Sequence, residues 1–119
     1  MTQSNVVHLL ASHISLQRLV EVALRLRPDR IIIGEIRGSE VIDFCHANQT
    51  GHNGSIASIH ADHPAQVFDR LVQLVRRYSN SSLTRDDILL DWYNLVDIIV
   101  QMERRNNQRV VAQIYFSCA

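Results

Sequence analysis

The chain of 119 residues contains no lysine, so arginine supplies all 12 of its basic side chains. A phosphate-binding loop of the form G-x-x-x-x-G-K-[ST] needs a lysine that reaches the β- and γ-phosphates of a nucleotide. The planar fork of arginine does not replace that compact ammonium. The four glycines bracket no such loop. We therefore expect this chain alone to bind no nucleotide tightly, to need no cofactor of its own and to hydrolyse no ATP.

Cysteine pairs, an excess of one charge and long apolar runs are also missing. Cys45 and Cys118 lie far apart, so neither a zinc knuckle nor a dithiol redox site is indicated, and both fit ordinary thiols in a reducing compartment. The 12 acidic residues balance the 12 basic ones, which argues against direct nucleic acid binding. No run approaches the ~18 apolar residues of a membrane span, and no signal peptide is visible. We expect a cytoplasmic protein that reaches a membrane only through partners.

An ordinary balance of 46% hydrophobic and 20% charged residues indicates one small globular domain with a single core. Apolar periodicity predicts strands at 5–11, 30–36, 55–60, 96–102 and 109–116. Helices are predicted to begin near Ser15, Ser39, Pro64 and Thr84. The alternation of the first strands with helices predicts an α/β fold with a mostly parallel sheet, closed by a hairpin that turns within 103–108.

The first motif that carries chemistry is RPDRIIIGEIRG at residues 27–38. Isoleucines 31–33 favour a strand that is covered on both faces. Glu35 lies at the end of this strand, and Arg37 lies two residues further along the chain. A carboxylate in that place could orient a water or contact Mg²⁺ through water beside a phosphate chain. The alternative is a surface glutamate that pairs with Arg37.

The second motif is TGHNGSIASIHAD at residues 50–62. A histidine flanked by glycines enters a strand, and His60 lies near the end of that strand. His60 should therefore lie beside Glu35 if the two strands are neighbours. It could donate a hydrogen bond to a phosphate oxygen or sense one, whereas the alternative is a core histidine that a backbone carbonyl satisfies.

A metal site is a third interpretation of the sequence. The candidate ligands lie on a predicted helix, loop and strand, without the paired spacing that zinc sites usually have. They are Cys45, His46, His52, His60 and His63. The pattern therefore argues against a histidine-based metal hydrolase.

Together, the two motifs resemble those of the secretion ATPases that serve type II and type IV secretion, pilus assembly and conjugation. Residues 24–38 resemble the Walker B segment of that family, with Glu35 on its acidic residue. Residues 50–62 resemble its histidine box, with His52 and His60 on the two histidines. The resemblance covers nearly the whole chain and identifies residues 1–119 as the C-terminal part of the motor domain.

The resemblance implies a partial RecA-like P-loop fold and a ring of six subunits. It implies that ATP and Mg²⁺ act in a complete parent, which would move protein or DNA at the inner membrane through a secretion machinery. It assigns catalytic roles to Glu35 and His60, and a water-mediated Mg²⁺ contact to Glu35. The residues expected near the phosphates are Gly34, Arg37, Gly51, His52, Gly54 and Ser55.

The sequence also departs from the family pattern. It contains neither the phosphate-binding loop nor the acidic segment and N-terminal domain that precede these motifs in the family, so we expect the chain to begin just past that segment. The zinc-binding cysteine pairs of some type II members are absent, which favours the type IV secretion, conjugation or pilus branches, and the resemblance is closest to type IV secretion and conjugation. A truncated paralogue that only binds intact ATPase subunits stays open as the alternative function.

Overall fold

A computed structural model describes residues 5–117 of the chain. Within this range, the helices are α1 (Leu16–Arg25), α2 (Glu40–Gln49), α3 (Pro64–Tyr78) and α4 (Arg85–Leu95). The strands of the described residues are β1 (Ile32–Ile33), β2 (Ile56–Ala57), β3 (Ile98–Arg105) and β4 (Gln108–Phe116). No helix within residues 5–117 is both long enough and apolar enough to cross a membrane.

Strands β1 and β2 pair in parallel, with Ile32 opposite Ile56. Only one face of this pair is covered. Ile31 and Ile33 are buried, but Ile32 is 73% exposed and Ile56 is 59% exposed. The expectation that both faces of this strand are covered is therefore wrong for residues 5–117, because the helices of this segment pack on one side of the sheet.

Strands β3 and β4 form an antiparallel hairpin, as expected, but its strands are longer and its turn is shorter than expected. Asn106 and Asn107 form the two-residue connection, with φ values of 48° and 62°. Two positive φ values are typical of a type I′ turn, for which asparagine is a favoured residue. The two sheets, one parallel and one antiparallel, are not hydrogen-bonded to each other.

The core lies between the covered face of the sheets and helices α2, α3 and α4. Helix α3 begins at Pro64, as predicted, and supplies the largest share of the core. All five residues of its predicted stripe are buried: Val67, Phe68, Leu71, Val72 and Val75. Trp92 of α4 is 2% exposed and packs in the same cluster.

The segment 5–11 corrects another expectation. It was predicted as a strand, but the structure assigns it no regular element, and its residues are all exposed. Ser15, in contrast, caps α1 as predicted, since its Oγ accepts a hydrogen bond from the backbone N–H of Arg18. The apolar run alone does not make a strand because a strand needs a neighbouring edge, and this segment has none.

The predicted capping box at the start of α4 is confirmed. Thr84 Oγ1 accepts from the backbone N–H of Asp87, and the Asp87 carboxylate accepts from the backbone N–H and hydroxyl of Thr84. The hydrogen bonds from the Thr84 side chain and backbone lower the pKa of Asp87 below its ordinary value.

We expect Thr84→Ala to lower the free energy of unfolding by about 1 kcal/mol at neutral pH, because the cap is lost. A lowered pKa stabilises the fold above the ordinary pKa of aspartate, and that contribution is lost as the pH falls through the lowered value. The difference between variant and parent should therefore shrink in acid. Urea unfolding of both at pH 7 and in acid measures it, with the exposed Ser82→Ala as the control that should change little.

Candidate functional site

Glu35 and His60 meet where strands β1 and β2 end. The backbone N–H of Ile36 donates to the carbonyl of Ser58 at 2.8 Å, so the pairing continues past the assigned strands. This alignment places His60 Nε2 3.1 Å from Glu35 Oε1. The predicted proximity of the two side chains is thus confirmed, and its cause is that both follow parallel neighbouring strands.

The carboxylate of Glu35 is flanked by two groups that are much more exposed. Arg37 Nε lies 3.8 Å from Oε2, and the side-chain exposures are 76% for Arg37, 92% for His60 and 30% for Glu35. The carbonyl of Gly34, next to Glu35, accepts a hydrogen bond from the Ser58 hydroxyl. This bond links the ends of the two parallel strands. A half-buried carboxylate beside two exposed donors can hold a water or face an anionic ligand.

Glu40 is the residue that sequence analysis missed in this region. Its Oε1 accepts from the backbone N–H groups of Arg37 and Gly38 at 2.6 and 2.8 Å, and the residue is 5% exposed. A Cβ added at Gly38 would lie 3.0 Å from Glu40 Oε2. Glu40 therefore fixes the turn that carries Arg37 away from the strand. The available signal was an acidic residue in the first turn of a helix.

Ser39 does not cap α2 through its side chain. It occupies the position before the helix, but it makes no side-chain capping bond. Its hydroxyl donates instead to Gln17 Oε1 at 2.8 Å, which links α2 to α1. The N–H groups that such a cap would bind donate instead to backbone carbonyls, Val41 to Gly38 at 3.3 Å and Ile42 to Ser39 at 3.2 Å.

The other predicted phosphate residues lie around the loop before β2. His52 is held by Ala47, whose carbonyl accepts from the His52 backbone N–H and lies 3.1 Å from Nδ1. Ser55 Oγ donates to the His52 carbonyl at 2.8 Å and accepts from the backbone N–H of Ile31 at 3.1 Å. This serine therefore ties the loop to the beginning of the first strand.

Two glycines give this loop its shape, since Gly51 and Gly54 have φ values of 110° and 82°. Such values favour glycine over other residues. The loop precedes β2 while His60 follows it. Ser55 and His60 are five residue steps apart along an extended segment, roughly 16 Å at about 3.3 Å per step. The structure thus groups Gly34 and Arg37 with Glu35 and His60, and it places Gly51, His52, Gly54 and Ser55 at the opposite strand ends.

The candidate metal ligands do not converge within the described part of the chain. Residues 5–117 contain no group of three or more His, Cys, Asp or Glu side chains that could hold a metal ion. Cys45 is a free thiol, and burial, with a smaller contribution from the charge of Asp91, raises its pKa to about 11. Because metals bind the thiolate, this thiol is a poor ligand at neutral pH. Cys118 lies outside the described residues.

We expect Cys45 to react with a thiol reagent at pH 8 roughly 10²-fold more slowly in the folded protein than after unfolding, because little thiolate is present. Reaction kinetics of a Cys118→Ser variant, with and without denaturant, measure this. Asp91→Asn serves as the matched change and should speed the reaction slightly. Equal rates in both states would show that Cys45 is accessible and ordinary.

Magnesium would fit Glu35 only in part. Mg²⁺ usually keeps several waters and takes one or two carboxylates together with substrate phosphates. Glu35 offers one carboxylate, and its two oxygens already face His60 and Arg37. A contact through water agrees with this donor set, and the phosphates would have to come from a bound nucleotide.

Comparisons with known proteins show which family this chain is similar to. The family described as Type II/IV secretion system protein matches residues 1–114. The type IV secretion system protein VirB11 of Bartonella quintana is 36% identical over 101 residues, which cover 84% of this chain and 28% of that protein. The putative conjugal transfer protein MT3759 of Mycobacterium tuberculosis is 46% identical over 61 residues, 51% of this chain and 17% of that protein.

A solved structure agrees with these relatives. The VirB11 ATPase of the Brucella suis type IV secretion system, crystallised with sulphate, superposes with a TM-score of 0.79 at 29% identity, over 87% of this chain and 32% of that one. The predicted α/β fold is confirmed, and it agrees with part of a RecA-like fold. The chain spans less than a third of each of these relatives. By sequence and by fold, the chain belongs to the type II/IV secretion ATPase family and to its type IV branch.

Proposed function

We propose that this chain works as part of a longer ATP-hydrolysing motor that powers transport of protein or DNA through a type IV secretion or conjugation machine. The observation that carries the proposal is the 3.1 Å approach of His60 Nε2 to Glu35 Oε1 at the carboxyl ends of two parallel strands. Ligands of open parallel sheets bind at that edge.

Glu35 is proposed to orient the water that attacks the terminal phosphate. Its carboxylate can accept a hydrogen bond from a water and lies 3.1 Å from His60 and 3.8 Å from Arg37, and positioned acid–base groups contribute about 10²- to 10⁴-fold to rate. Mg²⁺, when bound with ATP, would neutralise phosphate charge. His60 is proposed to keep the Glu35 carboxylate oriented and to donate a hydrogen bond to a phosphate oxygen of the bound nucleotide.

The loop around His52 is proposed to act structurally. Its hydrogen bonds to Ala47 and Ser55 fix the start of β2, and the start of the strand determines where its end, and hence His60, is placed. The larger assembly is also proposed: a ring of six copies in the cytoplasm, peripheral to the inner membrane through the secretion machinery.

A chimeric ATPase tests the proposal. Residues 5–114 of this chain would replace the matching third of a full-length VirB11-type ATPase, which supplies a phosphate-binding loop. Hydrolysis of ATP close to the rate of the unaltered relative supports the proposed function. A chimera that folds and assembles but does not hydrolyse ATP would support the alternative, a module that only binds intact subunits.

We expect His60→Ala to lower the turnover of that chimera by about 10-fold or more, the usual effect of losing a hydrogen bond to a charged group. His63→Ala is the matched control, because His63 is exposed at the start of α3 and makes no capping bond. Steady-state phosphate release measures both. If the two variants behave alike, His60 has no role in hydrolysis.

A further inference from the structure

Glu40 is the one charged side chain that is buried among the described residues, with 5% of its surface exposed. Burial of a carboxylate is costly unless hydrogen bonds or an opposite charge compensate for the lost water. None of the ion pairs within residues 5–117 includes Glu40. The compensation is local, because a single oxygen, Oε1, accepts both the Arg37 N–H at 2.6 Å and the Gly38 N–H at 2.8 Å.

The second oxygen of this carboxylate uses space that only a glycine leaves. A Cβ added at Gly38 would lie 3.0 Å from Glu40 Oε2, which is tighter than most contacts of a Cβ atom. Since Glu40 is buried, its carboxylate has little room to move aside. Gly38 and Glu40 therefore act as a pair: the glycine makes room for the carboxylate, and the carboxylate fixes the backbone of residues 37 and 38.

The turn that Glu40 holds carries the side chain of Arg37. That side chain is 76% exposed and approaches Glu35 Oε2 through Nε at 3.8 Å. The approach is made by Nε, so the two terminal nitrogens of the guanidinium remain able to bind an anion, and arginine commonly binds phosphate through such nitrogens. An exposed arginine has many rotamers. Its reach toward one place therefore depends on how firmly its backbone is held.

We propose that Glu40 is a positioning residue for hydrolysis, which holds the backbone of Arg37 so that the guanidinium meets the terminal phosphate beside Glu35. The inference rests on the proposed ATPase function and deepens it. Glu40 itself does not touch the nucleotide, because it is buried and its hydrogen bonds go to the backbone. Its role needs an acceptor oxygen at the position of Oε1 rather than a negative charge, and this separates it from Glu35.

Variants of Glu40 in the chimeric ATPase test this role. Glu40→Ala removes the acceptor, and Glu40→Asp is one methylene too short to reach both N–H groups. Each should lower kcat by about 10-fold, the effect of losing a hydrogen bond to a charged group. KM for ATP should change little, because the phosphates are gripped elsewhere in the motor. Glu40→Gln keeps an oxygen that can accept both bonds, so it should retain most of the turnover.

Asp86→Ala is the matched control, because it removes an exposed acidic residue from the first turn of another helix, α4. It should change neither kcat nor KM. Gly38→Ala disturbs the same contact while Glu40 is still present, and it should also lower kcat. In a Glu40→Ala background, where the clash is gone, Gly38→Ala should add little.

A double-mutant cycle with Arg37→Ala shows whether Glu40 acts through the arginine. If it does, Glu40→Ala should lower kcat by less than about twofold in the Arg37→Ala background, because the effects of coupled residues are not additive. A residue that only stabilises the fold would lower kcat equally in both backgrounds.

Amide hydrogen exchange of the purified chain gives a measurement that needs no activity. The N–H groups of Arg37 and Gly38 should exchange about 10-fold faster in Glu40→Ala than in the parent chain, and Glu40→Gln should keep their protection. Additive losses in the cycle, a Gln variant as slow as the Ala variant, or unchanged exchange in Glu40→Ala would each overturn the inference alone. A parent chimera without activity would overturn the proposed function, and this inference with it.

Discussion

Glu35→Gln in the chimeric ATPase is expected to leave ATP binding intact and to lower kcat for hydrolysis by about 10²-fold or more. Glutamine keeps the size of the side chain and most of its hydrogen bonding, but it loses the negative charge. His60 and Arg37 would then face a neutral amide instead of a carboxylate. Binding survives because the phosphates are gripped by backbone N–H groups elsewhere in the motor.

A titration of nucleotide binding together with steady-state phosphate release separates the two effects. Glu21→Gln is the matched control, since Glu21 pairs with Arg18 at 2.6 Å on the exposed face of α1, away from the strand ends. Near-normal turnover in Glu35→Gln would mean that the carboxylate only pairs with its neighbours. Loss of ATP binding would contradict its assignment as a hydrolytic group.

The purified chain alone is expected to show no ATPase activity and no tight nucleotide binding, the largest effect that we predict. Most of the grip on a nucleotide comes from a glycine-rich loop at a helix N-terminus and from one lysine. This sequence contains no lysine. Glu35 and His60 are proposed to lie beside the bound phosphate, but the two exposed donors there, His60 and Arg37, do not form such a cradle.

Isothermal titration with Mg-ATP, followed by phosphate release at high protein concentration, measures this expectation. The chimera serves as the positive control, because it contains the same segment together with a phosphate-binding loop. Micromolar binding by the isolated chain, or turnover above the buffer blank, would show that this segment holds phosphate in a way that its glycines and arginines do not suggest.

The part of the site that sequence analysis predicted correctly depends on local strand direction. Two residues that follow neighbouring parallel strands must meet at one edge, which is why Glu35 and His60 could be paired in advance. The same argument separates Ser55 from them, since Ser55 precedes its strand. The family motif does not reveal that separation, because it contains the loop and the strand as one continuous stretch of sequence.

The features that could not be predicted depend on neighbours that the local pattern does not reveal. A serine before a helix usually caps it, but here the Ser39 side chain makes no capping bond and its hydroxyl donates to Gln17 instead. Isoleucines 31–33 have the composition of a strand that is covered on both faces. Whether both faces are covered depends on which helices pack on the sheet, and the local sequence does not show this. An apolar run such as residues 5–11 likewise becomes a strand only where it can form backbone hydrogen bonds with the unpaired edge of another strand.

The order of folding follows from the two kinds of strand pairing. The hairpin of β3 and β4 closes through two residues, Asn106 and Asn107, and such hairpins form in about 1–10 μs. The parallel pair joins residues that are 24 positions apart, as in the contact of Ser55 with Ile31. The entropy cost of closing this long loop must be met before its stabilising contacts can form. We therefore expect the hairpin to form early and the approach of Glu35 to His60 to be among the last events.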